Sequence, residues 1–259
     1  MARLDAELVA RGLVSGRDRA AELIRDGRVT VNGVTAAKPA MPVGESDVLY
    51  AADAPYVGRG GLKLAHALRA FSLEVRGLVA VDLGASTGGF TDCLLQNGAA
   101  HVYAIDVGHG QLDQKLLADA RVTSLEGVNA RTVTRATIGG VTPDLAVADL
   151  SFISLRVIFP VIAGLLGERG YAVALIKPQF EAGRAAIGKN GVVRDRVEHV
   201  RVLRELEEAA QAAGLWVRGI CVSPIRGGEG NIEYLALYTK GKNSGIRQDY
   251  AAVTGTKQG

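Results

Sequence analysis

The chain has 259 residues, 48% of them apolar and 22% charged, with a formal net charge of +3. That balance excludes a disordered or collagen-like polypeptide and fits one large or two smaller packed domains. Two cysteines, Cys93 and Cys221, lie far apart without ligand-like spacing. A disulfide scaffold and a structural zinc site are therefore excluded, no metal is expected, and a reduced, cytoplasmic compartment fits.

Residues 1–50 read as a separate module. Leu4, Leu8 and Val9 recur at helical spacing, and Gly12 closes that helix. Ser15 is the expected N-cap of a second helix, with Ala20, Ala21, Leu23 and Ile24 on one face and Gly27 at its end. Val29-Thr30-Val31, Asn32-Gly33 and Val34 read as strand, turn and returning strand, and Val48-Leu49-Tyr50 as a further strand. So small a module buries little surface and works by presenting a face. That face is basic: Arg3, Arg11, Arg17, Arg19, Arg25, Arg28 and Lys38 outnumber the acids. Arg17 and Arg19 open the second helix, where phosphate can meet side chains and helix N–H groups together. On charge alone, local pairing with Asp5, Glu7, Asp18, Glu22 and Asp26 is an equal alternative.

Residues 51–62, rich in small residues with Pro55 and three glycines, read as a linker. Lys63, Leu64, Ala67 and Leu68 then mark a short helix opening a domain over 63–240. Strands are expected at 79–83, 101–106, 121–125, 144–149 and 171–176, alternating with helices at 89–97, 110–118, 154–166 and 195–213. Two last strands, 215–222 and 232–239, have no helix between them. The expected fold is α/β: a doubly wound sheet ending in an antiparallel pair, after a small N-terminal α+β domain. The apolar stretch 155–167 is broken by Arg156 and Pro160 and falls short of the roughly 20 residues of a spanning helix, so it reads as core rather than membrane anchor. Residues 241–259 show no helical pattern and read as a flexible tail.

The densest chemistry begins at Val81-Asp82-Leu83-Gly84-Ala85-Ser86-Thr87-Gly88-Gly89-Phe90-Thr91, an apolar strand running into a glycine turn and a helix. The turn lacks the spacing of a dinucleotide fingerprint or a phosphate loop, and a turn without a ligand is the plain alternative. Asp106 ends the next strand about twenty residues on, where a ribose-binding acid belongs. Its alternative is a strand-end aspartate opening a turn with Gly108. Asp82, Asp106, Asn129, Asp149 and Lys177 all fall at or just past strand carboxyl ends, where open sheets collect ligands. Charged residues ending the apolar strands before Asp149 and Lys177 need partners, and a structural ion pair is the plain reading. The sharper reading adds Lys63 and Glu233. A ribose hydroxyl is a poor acid, and two lysines with two carboxylates at one cleft would orient it and ease its proton loss during methyl transfer.

The pattern Arg3-Leu4-Asp5, Leu8-Val9, Arg11-Gly12-Leu13, Arg17, Leu23-Ile24, Gly27 and Val31-Asn32-Gly33 resembles the small RNA-binding domain named after the S-four ribosomal protein. That resemblance implies contacts to structured RNA by Arg3, Arg11, Arg17 and Arg19. Gly60-Gly61-Leu62-Lys63-Leu64, the Asp82–Thr91 turn, Val147-Ala148-Asp149-Leu150-Ser151-Phe152-Ile153-Ser154-Leu155, Lys177-Pro178-Gln179-Phe180-Glu181 and Gly230-Asn231-Ile232-Glu233-Tyr234 together resemble the TlyA family. Its members join an S-four-like domain to an FtsJ-like, Rossmann-like methyltransferase sheet. The resemblance implies S-adenosyl-L-methionine as cofactor and 2′-O-methylation of a cytidine in ribosomal RNA, with ribosomal subunits as partners. It carries a catalytic tetrad onto Lys63, Asp149, Lys177 and Glu233. It carries the donor site onto Gly84, Ser86, Thr87, Gly88, Asp106 and Asn129, with Asp82 and Asp149 beside them. Further RNA contacts implied are Arg131 and Arg184, with plain solvated surface as the alternative, Tyr56, which either stacks on RNA or locks the two domains together, and Phe152, stacking on an extruded base or else packing in the core. The resemblance associates the family's longer form with both subunits and its shorter form with the large subunit, so a start without a basic arm and a tail without helical pattern favour 23S rRNA as the expected substrate, with 16S rRNA as the alternative. A membrane-active haemolysin, a label the family has carried, and a non-catalytic ribosome-assembly factor are the alternatives.

Overall fold

The computed structural model describes residues 1–14, 16–52, 55–227, 230–241 and 248–255. They form two compact units, Met1–Pro55 and Tyr56–Gly259.

The first unit runs β1 (Ala2–Arg3), α1 (Leu4–Ala10), α2 (Arg17–Arg25), β2 (Val29–Val31), β3 (Val34–Thr35), β4 (Pro42–Val43) and β5 (Leu49–Ala51). The helices stop where the glycines foretell, at Gly12 and Gly27. Gly16 occupies the N-cap position of α2 in extended conformation, and Ser15, the expected cap, lies outside the described residues. Asn32 and Gly33 both take positive φ, 52° and 79°, as a two-residue hairpin turn requires. β2 is flanked by β3 and β5, both antiparallel. A two-residue ladder, β1 with β4, is too short for any periodicity to announce. Leu4, Leu8, Ala20, Leu23, Ile24, Val29 and Val31 close the core.

The second unit runs α3 (Gly60–Ala70), β6 (Val79–Leu83), α4 (Gly89–Gln96), β7 (His101–Asp106), α5 (Gln114–Leu117), β8 (Val122–Glu126), β9 (Leu145–Ala148), α6 (Leu155–Leu165), β10 (Tyr171–Ile176), α7 (Pro178–Glu181), α8 (Arg196–Ala212), β11 (Leu215–Val222), β12 (Tyr234–Lys240) and α9 (Tyr250–Thr254). The sheet order is β11-β12-β10-β9-β6-β7-β8. Six strands run the same way, and β12 alone inserts antiparallel, between β10 and β11. Apolar strands such as Leu145–Ala148 are buried throughout because helices cover both faces of the sheet.

Three expectations are corrected. The helix expected over 110–118 shrinks to the single turn of α5, because Gly110 takes positive φ and Asp113, accepting from Lys115 N at 2.9 Å, caps the chain late. The expected linker 51–62 is shorter, since Tyr56–Leu62 belong to the second unit. Val57 N donates to Asp92 Oδ2 at 2.9 Å, α3 already starts at Gly60, and the Tyr56 ring lies on Gly61, where a Cβ would come within 2.3 Å of it. The expected tail 241–259 contains α9, which docks through Tyr250, 5% exposed and hydrogen-bonded through its hydroxyl to Glu207. A five-residue helix carries too little sequence to show a period, and one aromatic anchors it.

Burial pushes the Cys93 thiol up to about 12 and the Cys221 thiol up to about 11, so neither presents a thiolate near neutral pH. Among the described residues no helix is long and apolar enough to cross a membrane, and no cluster of His, Cys, Asp and Glu could hold a metal ion.

Candidate active site

Strand register builds the site. Leu83 pairs with Ala148, Ala148 with Ala174, and Ile176 with Tyr234. The residues just past these pairs, Gly84, Asp149, Lys177 and Glu233, therefore emerge together along one edge of the sheet. Helix α3 adds Lys63 from above. Lys63 Nζ lies 2.6 Å from Glu233 Oε2, with the two residues 8% and 2% exposed. Lys177 Nζ lies 2.6 Å from Asp149 Oδ1. The four side chains thus form two ion pairs, one buried and one opening toward the cleft. Gly60, at the start of α3, packs on the Phe90 ring beside Asp149: a Cβ there would lie 3.2 Å from Phe90 Cδ1 and 3.7 Å from Asp149 Oδ2.

The Lys177–Asp149 contact is an ion pair and not an oriented hydrogen bond, since Asp149 Oδ1 has no directed donor. The directed bond of Lys177 goes to Ser151 Oγ at 2.9 Å, and the Phe180 ring centroid lies 5.9 Å from Nζ. Glu233 is held by its sequence neighbours. Asn231 Nδ2 donates to Gly191 O, and its Oδ1 accepts from Val193 N, both at 3.1 Å. Tyr234 OH lies 2.7 Å from His199 Nδ1, and His199 Nε2 lies 3.0 Å from Val193 O. A carbonyl only accepts, so Nε2 carries the proton and Nδ1 accepts from the tyrosine. Ser151, Asn231 and His199 were not among the expected site residues. Ser151 follows Asp149 by two positions, and that proximity is the signal that could have found it.

A cavity of about 560 Å³ opens beside the Asp149 pair, a volume typical of small-molecule sites. Gly84, Ser86, Asp106, Asn129, Arg131, Asp149, Ser151 and Phe152 line it. Gly84 sits at φ +87° with its backbone against Asp149 O, where a Cβ would approach to 2.7 Å. Gly88, at φ +97°, packs so closely on Leu116 that a Cβ would meet Cδ1 at 2.1 Å. Only glycine satisfies both the backbone conformation and the space at these points. Thr87 and Gly88 shape the turn without lining the cavity. Asp106 Oδ2 accepts from Ser86 N at 2.8 Å and Oδ1 from Gly108 N at 2.7 Å. The turn with Gly108 therefore exists and does not displace Asp106 from the cavity. Asn129 caps the turn Ala130–Thr132 through Oδ1, accepting from Arg131 N at 3.0 Å.

Asp82 lies beneath the turn, fully buried. Thr91 Oγ1 donates to its Oδ2 at 2.7 Å, and Oδ1 has no partner. Burial, with smaller repulsion from Asp149 and Asp106, pushes its carboxyl up to about 7.

Phe152 is 87% exposed at φ 63°, which removes the core-packing alternative, and its ring lies 5.0 Å from that of Phe180. Arg184 stands exposed on the single turn Arg184–Ala186. Tyr56 packs inward, and burial pushes its phenol up to about 12.

In the first unit the four arginines expected to contact RNA all find partners. Arg3 and Arg17 share Asp5 at 2.8 and 3.2 Å, and their pull holds its carboxyl well below the usual carboxylate range. Arg19 pairs with Glu22 at 2.6 Å. Arg11 joins Glu7 at 2.8 Å and donates to the carbonyls of Asp47 and Gly44 at 2.7 and 2.9 Å. Arg3 and Arg17 are more than half exposed, so their ion pairs contribute little and can be exchanged for phosphate. Arg11 instead braces the module. Arg11→Ala is expected to destabilise the first unit by about 1–2 kcal/mol and Arg17→Ala by less than about 0.5 kcal/mol, measured by denaturant unfolding.

A parallel sheet with one inserted antiparallel strand, a glycine turn over a nucleoside-sized cavity and lysine–carboxylate pairs at its rim define a methyltransferase. Residues 56–240 match the FtsJ-like methyltransferase family, and residues 2–49 match the S4 domain. The chain belongs to the TlyA family of FtsJ-like methyltransferases. It is 47% identical over 236 residues to the Mycobacterium tuberculosis 16S/23S rRNA (cytidine-2′-O)-methyltransferase TlyA, covering 90% of this chain and 88% of that one. It is 33% identical over 186 residues to the Campylobacter jejuni 23S rRNA (cytidine-2′-O)-methyltransferase TlyA, covering 71% of each. A solved structure of a candidate hemolysin from Streptococcus thermophilus superposes with TM-score 0.80 at 42% identity, covering 98% of this chain and 94% of that one.

Proposed function

We propose that this protein transfers the methyl group of S-adenosylmethionine to the 2′-hydroxyl of a cytidine in ribosomal RNA. The observation that carries the reading is a pair of lysine–carboxylate contacts, Lys63–Glu233 and Lys177–Asp149, at adjoining strand ends, with Asp149 also lining the glycine-turn cavity. The residues present suit the donor. Gly84 gives backbone access, Gly88 lets the turn pack on Leu116, Asp106 offers carboxylate lone pairs to ribose hydroxyls, and the Asn129 amide faces the same space. The unpartnered Asp82 Oδ1 adds a buried acceptor beneath the turn, suited to a cationic ligand. The donor, when bound, supplies a methyl carbon already activated by positive sulfur.

The chain's part is to place the acceptor and take its proton. Asp149, which lines the cavity, holds Lys177 just behind it, and Lys177 receives the proton of the 2′-hydroxyl as its oxygen attacks. The Lys63–Glu233 pair, almost closed to solvent, fixes the wall behind it. Phe152 offers an exposed ring on which an extruded base stacks. Arg131 and Arg184, with Arg3, Arg17 and Arg19 on the first unit, reach phosphates, and the S4 domain recognises structured RNA by shape. Both named relatives share large-subunit RNA, which makes it the substrate proposed here.

Purified large and small ribosomal subunits incubated with labelled S-adenosylmethionine test this. Label is expected on a cytidine 2′-oxygen of 23S RNA. Label on a base or a protein, or in neither subunit, would overturn the reading.

A further inference from the structure

We propose that the Ser151 hydroxyl carries the acceptor's proton to Lys177, an inference that rests on the methyl-transfer reading above and adds a reacting group to it. Lys177 is set back, its side chain 11% exposed, and does not line the cavity. Ser151 does line it and is exposed. Nζ of Lys177 reaches Ser151 Oγ at 2.9 Å in a directed hydrogen bond, whereas the shorter contact with Asp149 is off-axis. Among the described residues, Ser151 is the one directed hydrogen-bond partner of this amine. Ser151 therefore stands between the lysine and the space an acceptor would occupy.

The hydroxyl both donates and accepts, which is what a relay needs. With Lys177 as the amine, Ser151 O–H points at the Nζ lone pair and its oxygen faces the acceptor. As the acceptor oxygen bonds to the methyl carbon, the carbon–sulfur electron pair stays on sulfur. The acceptor's proton passes to Ser151 Oγ, and the serine's own proton passes to Nζ. Serine ends unchanged, and lysine ends as ammonium against Asp149. Two protons move in one event, whereas direct transfer to lysine moves one.

The experiment compares the parent with Ser151→Ala, Ser151→Thr and Lys177→Ala in single turnovers on large ribosomal subunits, with donor affinity measured separately by calorimetry. Ser151→Ala is expected to slow turnover about 100-fold, with donor affinity within about twofold, and Ser151→Thr to restore most of the rate. The rate in mixed H₂O and D₂O should curve with deuterium fraction in the parent and become linear in Ser151→Ala. In the ligand-free protein the ¹⁵N resonance of Lys177 Nζ should move in Ser151→Ala and stay in Ser151→Thr. A parental rate in Ser151→Ala, or a linear dependence in the parent, overturns the relay. A parental rate in Lys177→Ala removes Lys177 as the proton's destination and the relay with it, whereas absence of methyl transfer by the parent overturns the methyl-transfer reading itself, so the two failures are distinct.

Discussion

Lys177→Ala should lower methyl transfer by about 10²–10⁴-fold while leaving donor affinity within a few-fold. The asymmetry follows from position: Lys177 is outside the glycine-turn cavity and its partner Asp149 stays partly open to solvent. The lysine can therefore be removed without stranding a fully buried charge. Lys63→Ala is a poorer probe of chemistry. It would leave Glu233, 2% exposed, without its cation, a loss of about 3–5 kcal/mol that mixes folding with catalysis. Single-turnover rates with separate donor titrations check the prediction for Lys177. A variant that loses donor binding in proportion to rate would place the lysine in the donor site instead.

Asp82→Asn should stabilise the ligand-free protein at pH 8 and weaken donor binding there. In the folded chain the Asp82 carboxyl is raised to about 7, whereas in the unfolded chain it ionises near the ordinary 3.8. Between these values the folded state holds a proton that the unfolded state has released. Stability therefore falls as pH rises from about 4 to about 7 and stays reduced above it. Asparagine removes the buried charge, and its amide oxygen still accepts from Thr91. At pH 8 a melting temperature several degrees above the parent is expected, with the gap closing toward pH 4. Donor affinity moves oppositely. The parent should bind a cationic donor more tightly as pH rises through 7 and Asp82 ionises, and the asparagine variant should bind weakly without that dependence. Melting curves and donor titrations at pH 5 to 8 check both. A pH-dependent donor affinity that survives the substitution would assign the effect to another group.

The sheet was legible because its strands are short apolar runs separated by glycine turns, and Asp106, Asp149 and Lys177 each end such a run. The four residues could be named by type and placement, and the Asp149–Lys177 ion pair was already the plain reading of two neighbouring strand ends, but the pairing of Lys63 with Glu233 was not. That pairing depends on where α3 sets Lys63, and no periodicity encodes a helix's position over a sheet. Phe152 was left between core and surface by sequence. Its positive φ turns the ring outward, and a non-glycine residue in that conformation gives little advance sign. The basic module was ambiguous for a physical reason as well. Arginines at helical spacing serve an internal brace, as Arg11 does, or an open face, as Arg3 and Arg17 do, and the choice rests on contacts with residues more than thirty positions away. α9 escaped notice because only Tyr250 and Thr254 of its five residues are buried, too few to show a period.

Glu233 owes its stance to moorings on either side: Asn231 tied to the segment 191–193, and Tyr234 tied to His199. His199 sits 1% exposed on α8 and forms no part of the cleft. The carboxylate's aim is thus inherited from a distant helix, and inactivating lesions can arise in a histidine remote from the reacting atoms.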